Sequence, residues 1–167
     1  MKHSYAFKGL AYYWQMSKLE GNNLHMAVAA TEVVYNLAYH YLRYKVDSAQ
    51  RGHACGSTDL GKIVLLLEYN GVRLPKEVSD YPLVLTYCKT IMSREFEFPT
   101  KEYTQICVHA ANAMVSWFFD NLTVDMYDDL CDEFETGKHP RYHGSNSIKA
   151  LRSDIDVTFR KLNSIER

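Results

Sequence analysis

Three clusters of charged residues in this 167-residue chain have types and spacings that could do chemistry. The first is Arg43, Lys45, Arg51 and His53, at the end of an apolar periodic segment and in the polar stretch that follows it. Such cations could engage a phosphate, and cations at a helix C-terminus also stabilise the helix in their own right. The second is Asp125, Asp128, Asp129, Asp132 and Glu133, in a stretch from Asp120 to Glu135 with no Lys or Arg. At helical spacing several of these carboxylates share one face. Converging oxygens could hold a hard divalent cation, but no comparable acidic pair elsewhere offers ligands from a second helix. The favoured reading is a solvated acidic face that docks a basic partner. The third is Lys138-His139-Pro140-Arg141-Tyr142-His143-Gly144. It could contact phosphate and stack a base, or it could be a connecting loop whose charges keep it soluble.

Other reactive side chains give less. His25, His40 and His109 fall inside helical segments with no fixed partner in sequence, and read as partly buried polar residues rather than catalytic bases. Cys55, Cys88, Cys107 and Cys131 form no C-x-x-C pair, so neither a zinc knuckle nor a redox motif is written here. Cys88 and Cys107 lie among apolar residues of helical segments and read as small buried hydrophobes. His53-Ala54-Cys55 places two possible ligands close together without a second pair at zinc-like spacing. G-x-S-x-G, P-loop, G-x-G-x-x-G and H-E-x-x-H motifs are absent from the sequence. No metal or cofactor is expected.

Composition sets the frame. A formal charge of −1 excludes a uniformly basic nucleic-acid binder while leaving room for a local basic patch. No run approaches the roughly 20 apolar residues of a membrane span. Met1 to Tyr5 leads into a mixed polar and aromatic segment rather than a signal-peptide core. With unpaired thiols, the expected location is the cytoplasm.

The elements that must position these residues read as helices almost throughout. A first helix is predicted from Tyr5 to Lys18, stopping at Gly21-Asn22-Asn23. A second runs from Leu24 to Val46, with Ala27, Ala30, Val34, Leu37 and Tyr41 as its apolar stripe and Val33 and Ala38 beside it. Asp47 to Ser57 reads as a loop. Ser57 or Thr58 is expected to cap the next helix, with Asp59 near its positive end. The apolar run Ile63 to Leu67 suits a helix or a buried strand alike, the flanking Asp59-Leu60-Gly61 and Glu68-Tyr69 favour helix, and it ends at Asn70-Gly71. A turn over Val72 to Tyr81 leads to a helix from Pro82 to about Ser93. Phe98 precedes Pro99 and so avoids the α region. Thr100 then caps a long helix with a stripe of Tyr103, Ile106, Ala110, Ala113 and Trp117, widened by Cys107, Met114 and Phe118. Two more helices are expected, from Thr123 to Phe134 and from Ser147 to Ile165. The fold class is all-α, an antiparallel helical bundle of roughly four to five core helices. Residues 1–122 form the bundle, and 123–167 form a C-terminal helical extension packed on it.

In order, the segments run as a helix with Ala27, Ala30, Glu32 and Leu37, a polar loop with His53, and a short Leu-rich helix. A Leu74-Pro75 turn, another helix, Ser93-Arg94, an aromatic-Pro link and a long Ala-rich helix follow. From about Tyr5 to Leu122 this resembles the HEPN superfamily (higher eukaryote and prokaryote nucleotide-binding) of small antiparallel bundles. Many members are metal-independent RNases of toxin–antitoxin, CRISPR and phage-defence systems. Their signature is Arg-x4-6-His at a dimer interface, where His serves acid–base chemistry and Arg stabilises charge at the phosphate. None of Arg43, Arg51, Arg73, Arg94, Arg141, Arg152 and Arg160 has a His at that spacing. The resemblance therefore implies the non-catalytic branch, a binding or dimerisation module often found beside a minimal nucleotidyltransferase. Arg43, Arg51, His53, Arg94, Arg141 and His143 become the residues expected to touch RNA or a nucleotide.

The expected partner is a second copy or another protein, with RNA or a nucleotide as a further ligand. Thirteen Tyr, seven Phe and two Trp support that reading, since aromatic residues are favoured in interfaces. An aromatic-rich core is the alternative. A nuclease working through Arg51 and His53 or Arg141 and His143, and a small inhibitor that binds by its acidic helix, are the alternative functions.

Overall fold

The computed structural model of the chain describes residues 4–16, 18–19, 23–52, 54–91 and 98–121. Among them are seven helices and no strand: α1 Ser4–Met16, α2 Asn23–Lys45, α3 Ser48–Arg51, α4 Leu60–Tyr69, α5 Lys76–Ser79, α6 Pro82–Thr90 and α7 Lys101–Asp120. The all-α expectation holds. None of these helices is long and apolar enough to cross a membrane. The extension expected over 123–167 lies outside the described residues.

α2 is the hub, with α1, α7, α6 and α4 all packed on it. The sequence predicts a single apolar stripe on this helix. Instead α2 is enclosed from every side, and between Ala29 and Leu42 only Glu32 is not fully buried. Enclosure draws the polar Thr31, Asn36 and His40 inside as well. Thr31 and Asn36 meet this by hydrogen-bonding backbone carbonyls of their own helix, Val28 O at 2.8 Å and Glu32 O at 2.7 Å.

Direction follows from cross-helix contacts. Tyr5 stacks edge-on against Tyr39, and Gly9 lies against Leu37 and Val33, so α1 runs antiparallel to α2. Glu32 meets Lys89 while Tyr35 meets Thr86, so α6 is antiparallel to α2 too. Tyr41 packs on Trp117 and Tyr35 lies in electrostatic range of Cys107, so α7 runs parallel to α2. The large helices α1, α2, α6 and α7 thus alternate in direction along the chain, as in an up-down bundle. Tyr13 ties α1 to α7 by donating to Asn112 Oδ1 at 2.6 Å.

Several local expectations are refined. α1 ends at Met16, two residues short of Lys18. The stretch after α2 is not all loop: Asp47 accepts from the Ala49 amide at 3.3 Å and caps the single turn of α3. Pro75 opens a second single turn, α5, within the predicted turn of 72–81. Asp59 is the cap of α4, in place of Ser57 or Thr58. Its carboxylate accepts from the Lys62 amide at 3.2 Å, and Ser57 Oγ accepts from the Asp59 amide behind it. α4 is helical, as favoured, and ends where Gly71 adopts φ +81° and the Val72 amide returns to Leu67 O at 2.9 Å. Thr100 caps α7 as expected, accepting from the Tyr103 amide at 3.1 Å.

On α7 the inward face is rotated from the predicted stripe. Tyr103 is exposed, and Ile106, Ala113 and Trp117 are half-buried. Ala110, Cys107, Met114 and Phe118 are buried as predicted, and Thr104, Val108, Ala111 and Val115 join them on the inward face. α7 packs on α2, α5, α6 and α1 together, so its neighbours, and not its bulkiest residues, fix the inward direction. Tyr103 and Trp117 sit at the margins, where an amphipathic ring keeps one edge near water.

Candidate functional site

The segment between α3 and α4 is held against the bundle by two tyrosines of α2. Tyr39 donates to the Ser57 carbonyl at 2.5 Å, and Tyr35 donates to the Thr58 carbonyl at 2.7 Å. The Tyr35 hydroxyl also lies 3.1 Å from Thr86 Oγ1, which in turn accepts from the Leu60 amide at 3.4 Å. Burial pushes the Tyr35 phenol up to about 12, opposed by its hydrogen bond to Thr86. Tyr39 is pushed up for the same reason. Both phenols stay protonated donors across the ordinary pH range. Gly52 and Gly56, at φ +49° and +91°, supply the left-handed turns that bring this segment round to α4.

Against this fixed segment lies an open groove of about 390 Å³, lined by Arg51, Ala54, Ser57, Lys62, Ile63 and Leu66. Two cations and a hydroxyl-bearing side chain stand over an apolar floor, and the volume is within the roughly 300–1,000 Å³ of ligand-sized sites. Asp59 sits on the rim, its carboxylate 3.9 Å from Lys62 Nζ. Both side chains are more than half exposed there, so the pair binds weakly and yields readily to a better anion. Arg43 and Arg51 both act electrostatically on the Cys55 thiol, which burial nevertheless raises. Arg43 also lies 5.7 Å from the Tyr5 ring centre.

The groove continues along the outer face of α4. Leu65 and Leu66 each stand three or four residues from both Lys62 and Tyr69, so the four share one helix face. Leu65 is 67% and Tyr69 81% exposed, while Leu60, Ile63, Val64 and Leu67 on the opposite face are buried. Leu83 and Phe98 are likewise exposed.

Of the residues expected from sequence to bind RNA or a nucleotide, Arg43 and Arg51 fall on this side of the molecule, and Arg51 lines the groove. His53, Arg94, Arg141 and His143 lie outside the described residues, as do Asp125, Asp128, Asp129, Asp132 and Glu133. Sequence reasoning missed Lys62, Ser57, Ile63 and Leu66. The available signal was the Asp59 cap, which puts Lys62 one turn into α4 on the same side as the loop. His40 is buried among Tyr41, Tyr44 and Phe118, the placement of a core histidine. Among the described residues no group of three or more His, Cys, Asp or Glu could hold a metal ion.

The fold and the groove together define a helical bundle with an open groove that sets two cations over an apolar floor. No protein-family model, curated protein or solved structure matches the chain.

Proposed function

We propose that this chain is a non-enzymatic helical module of the HEPN type, from the branch without the Arg-x4-6-His signature. It acts in the cytoplasm, in a nucleotide-, RNA- or defence-related system, by pairing with a protein. The observation that carries the reading is the joining of the Arg51–Lys62 groove to the exposed Leu65–Tyr69 stripe of α4. Exposed leucine and tyrosine beside a small cationic site suit an amphipathic acidic segment. The chain carries such a sequence itself, from Asp120 to Glu135, where carboxylates alternate with Leu122, Val124, Met126, Tyr127, Leu130 and Phe134. The proposed occupant is therefore a second copy of this chain.

Sedimentation velocity of the full chain tests this. The expected species is a dimer that weakens as salt rises. An Arg51→Glu, Lys62→Glu chain and an Asp128→Lys, Asp129→Lys chain should each sediment as a 19.3 kDa monomer, and mixing the two should restore the dimer. A wild-type monomer at every concentration overturns the pairing. A dimer that survives both reversals overturns this surface.

A second reading, RNA at the groove, is favoured by Arg51, Lys62 and Ser57 standing together. Two cations predict a shallow salt dependence, roughly −0.7 per phosphate contacted on a single strand. Anisotropy of a labelled oligouridylate measures that slope, and an Arg51→Ala chain that binds equally well removes the site. Cleavage is not expected, because none of the seven arginines from Arg43 to Arg160 has a histidine at the catalytic spacing. Cleavage that disappears with either His53→Ala or His143→Ala would make the chain a divergent nuclease.

A further inference from the structure

We infer, resting on the pairing of two copies proposed above, that α4 meets α4 of the second copy antiparallel, across a two-fold axis at Leu65. α4 buries Leu60, Ile63, Val64 and Leu67 and packs on α2 and α6. Its other side holds Leu65 and Tyr69 in solvent, with exposed Lys62 and Glu68 and half-buried Gly61 beside them. At about 100° per residue these five fall within about 120° of one another, with Leu65 in the middle. A helix apolar on both sides is of the kind that is covered on both.

The order of residues on this face selects the occupant. Lys62 stands three residues before Leu65 and Glu68 three after it, while Gly61 stands four before and Tyr69 four after. An antiparallel second copy therefore sets Lys62 level with Glu68, and Gly61 level with Tyr69. Each match occurs twice, as an isologous contact requires. Parallel α4 helices would instead set lysine level with lysine and glutamate level with glutamate, so charge selects the antiparallel pair.

Gly61 supports the same arrangement. Among the described residues its Cβ would approach only the exposed Asp59 carboxylate, at 3.3 Å, and its backbone is not left-handed. No core contact requires glycine there, and helices disfavour it. The notch it leaves admits the Tyr69 ring of the second copy between helices packed about 8–10 Å apart. Ile63 and Leu66, which line the groove, stand about a quarter turn or more round from Leu65. The acidic segment thus fills the groove while the two α4 helices cover each other.

Sedimentation equilibrium of the full chain reads the dimer dissociation constant. Lys62→Glu and Glu68→Lys should each weaken the dimer roughly tenfold, because symmetry reverses two exposed pairs at once. The double Lys62→Glu, Glu68→Lys chain should return close to the wild-type value. Glutamate suits the first turn of a helix and lysine the last, so these exchanges leave α4 itself intact. The acidic segment alone predicts the opposite for Glu68→Lys, since an added cation on this face would tighten its docking. A Glu68→Lys chain that pairs as tightly as wild type, or a double chain no tighter than the single variants, overturns the α4 contact while the pairing of copies stands. A wild-type monomer at every concentration overturns both. A Leu65→Cys chain oxidised with copper phenanthroline should link to its second copy through position 65, because a residue on the axis meets itself. A dimer of that variant left unlinked at position 65, as mapped by mass spectrometry, overturns the axis.

Discussion

Tyr35 and Tyr39, one turn apart on α2, donate their hydroxyls to the adjacent carbonyls of Thr58 and Ser57. The hub helix of the bundle thereby fixes the wall of the groove. These carbonyls belong to a segment outside any helix, and without the tyrosines they would need water or another donor.

Tyr39→Phe should cost about 1 kcal/mol, the net value of one such hydrogen bond, and Tyr35→Phe about 1–2 because Thr86 also loses its neighbour. Urea unfolding measures both. Hydrogen exchange at residues 54–59 should rise in each variant by more than in the core of α2. Uniform exchange would show that the tyrosines do not hold this segment.

Gly9 of α1 packs against Leu37 and Val33 of α2. A Cβ there would stand 2.9 Å from Leu37 Cγ and 3.0 Å from Leu37 Cδ2, and Leu37 is fully buried on the hub. Gly9→Ala should gain up to about 1 kcal/mol in helix propensity and lose about 1–3 kcal/mol to overpacking. A net loss of roughly 1 kcal/mol is expected in thermal or denaturant unfolding. A stabilised variant would mean that α1 shifts outward without cost.

Glu32 accepts from Lys89 at 2.5 Å through one carboxylate oxygen and from Asn36 at 3.0 Å through the other. The Lys89 and Glu32 side chains are only 15% and 24% exposed. Lys89→Met leaves the carboxylate with one partner and should cost about 1–3 kcal/mol, less than a fully buried pair because water still reaches both groups. A Glu32→Gln, Lys89→Met chain should recover part of that loss. Chemical denaturation of the wild type, Lys89→Met, Glu32→Gln and the double variant decides it, and a double variant less stable than the sum of the singles would contradict the pairing.

Stability should fall as pH rises from about 10 toward 12. Burial raises the Tyr35 phenol from 10.0 to about 12 and raises Tyr39 and Tyr41 in the same direction. Below the ordinary phenol value both states are protonated and no stability is lost. Above it the unfolded chain releases these protons while the folded chain keeps them, so the balance moves toward unfolding. Tyrosinate absorbance should therefore include a phase that coincides with loss of helical circular dichroism. A single phase that precedes unfolding would contradict it.

The sequence by itself determined the helical class, the limits of α2 to within a residue, the Thr100 cap of α7 and the stop of α4 at Asn70-Gly71. Periodicity and capping are local: Thr100 starts α7 through a bond three residues away, and Asn70-Gly71 ends α4 through a left-handed turn. Even the reading of Cys88 and Cys107 as buried thiols came from their apolar neighbours alone.

Tertiary structure decided what periodicity leaves free. The spacing on α2 shows an apolar stripe but not how many neighbours surround the helix, and enclosure is what drew in Asn36 and His40. The rotation of α7 was set by four helices at once, so the bulky Tyr103 and Trp117 moved to the margin while Thr104 and Ala111 joined the expected Ala110, Cys107, Met114 and Phe118 in the core. Arg51 was legible as a cation after a helix, but its meeting with Lys62 over Ile63 and Leu66 depended on two α2 hydroxyls and two left-handed glycines. Each of these joins residues distant in sequence, and only packing brings such residues together.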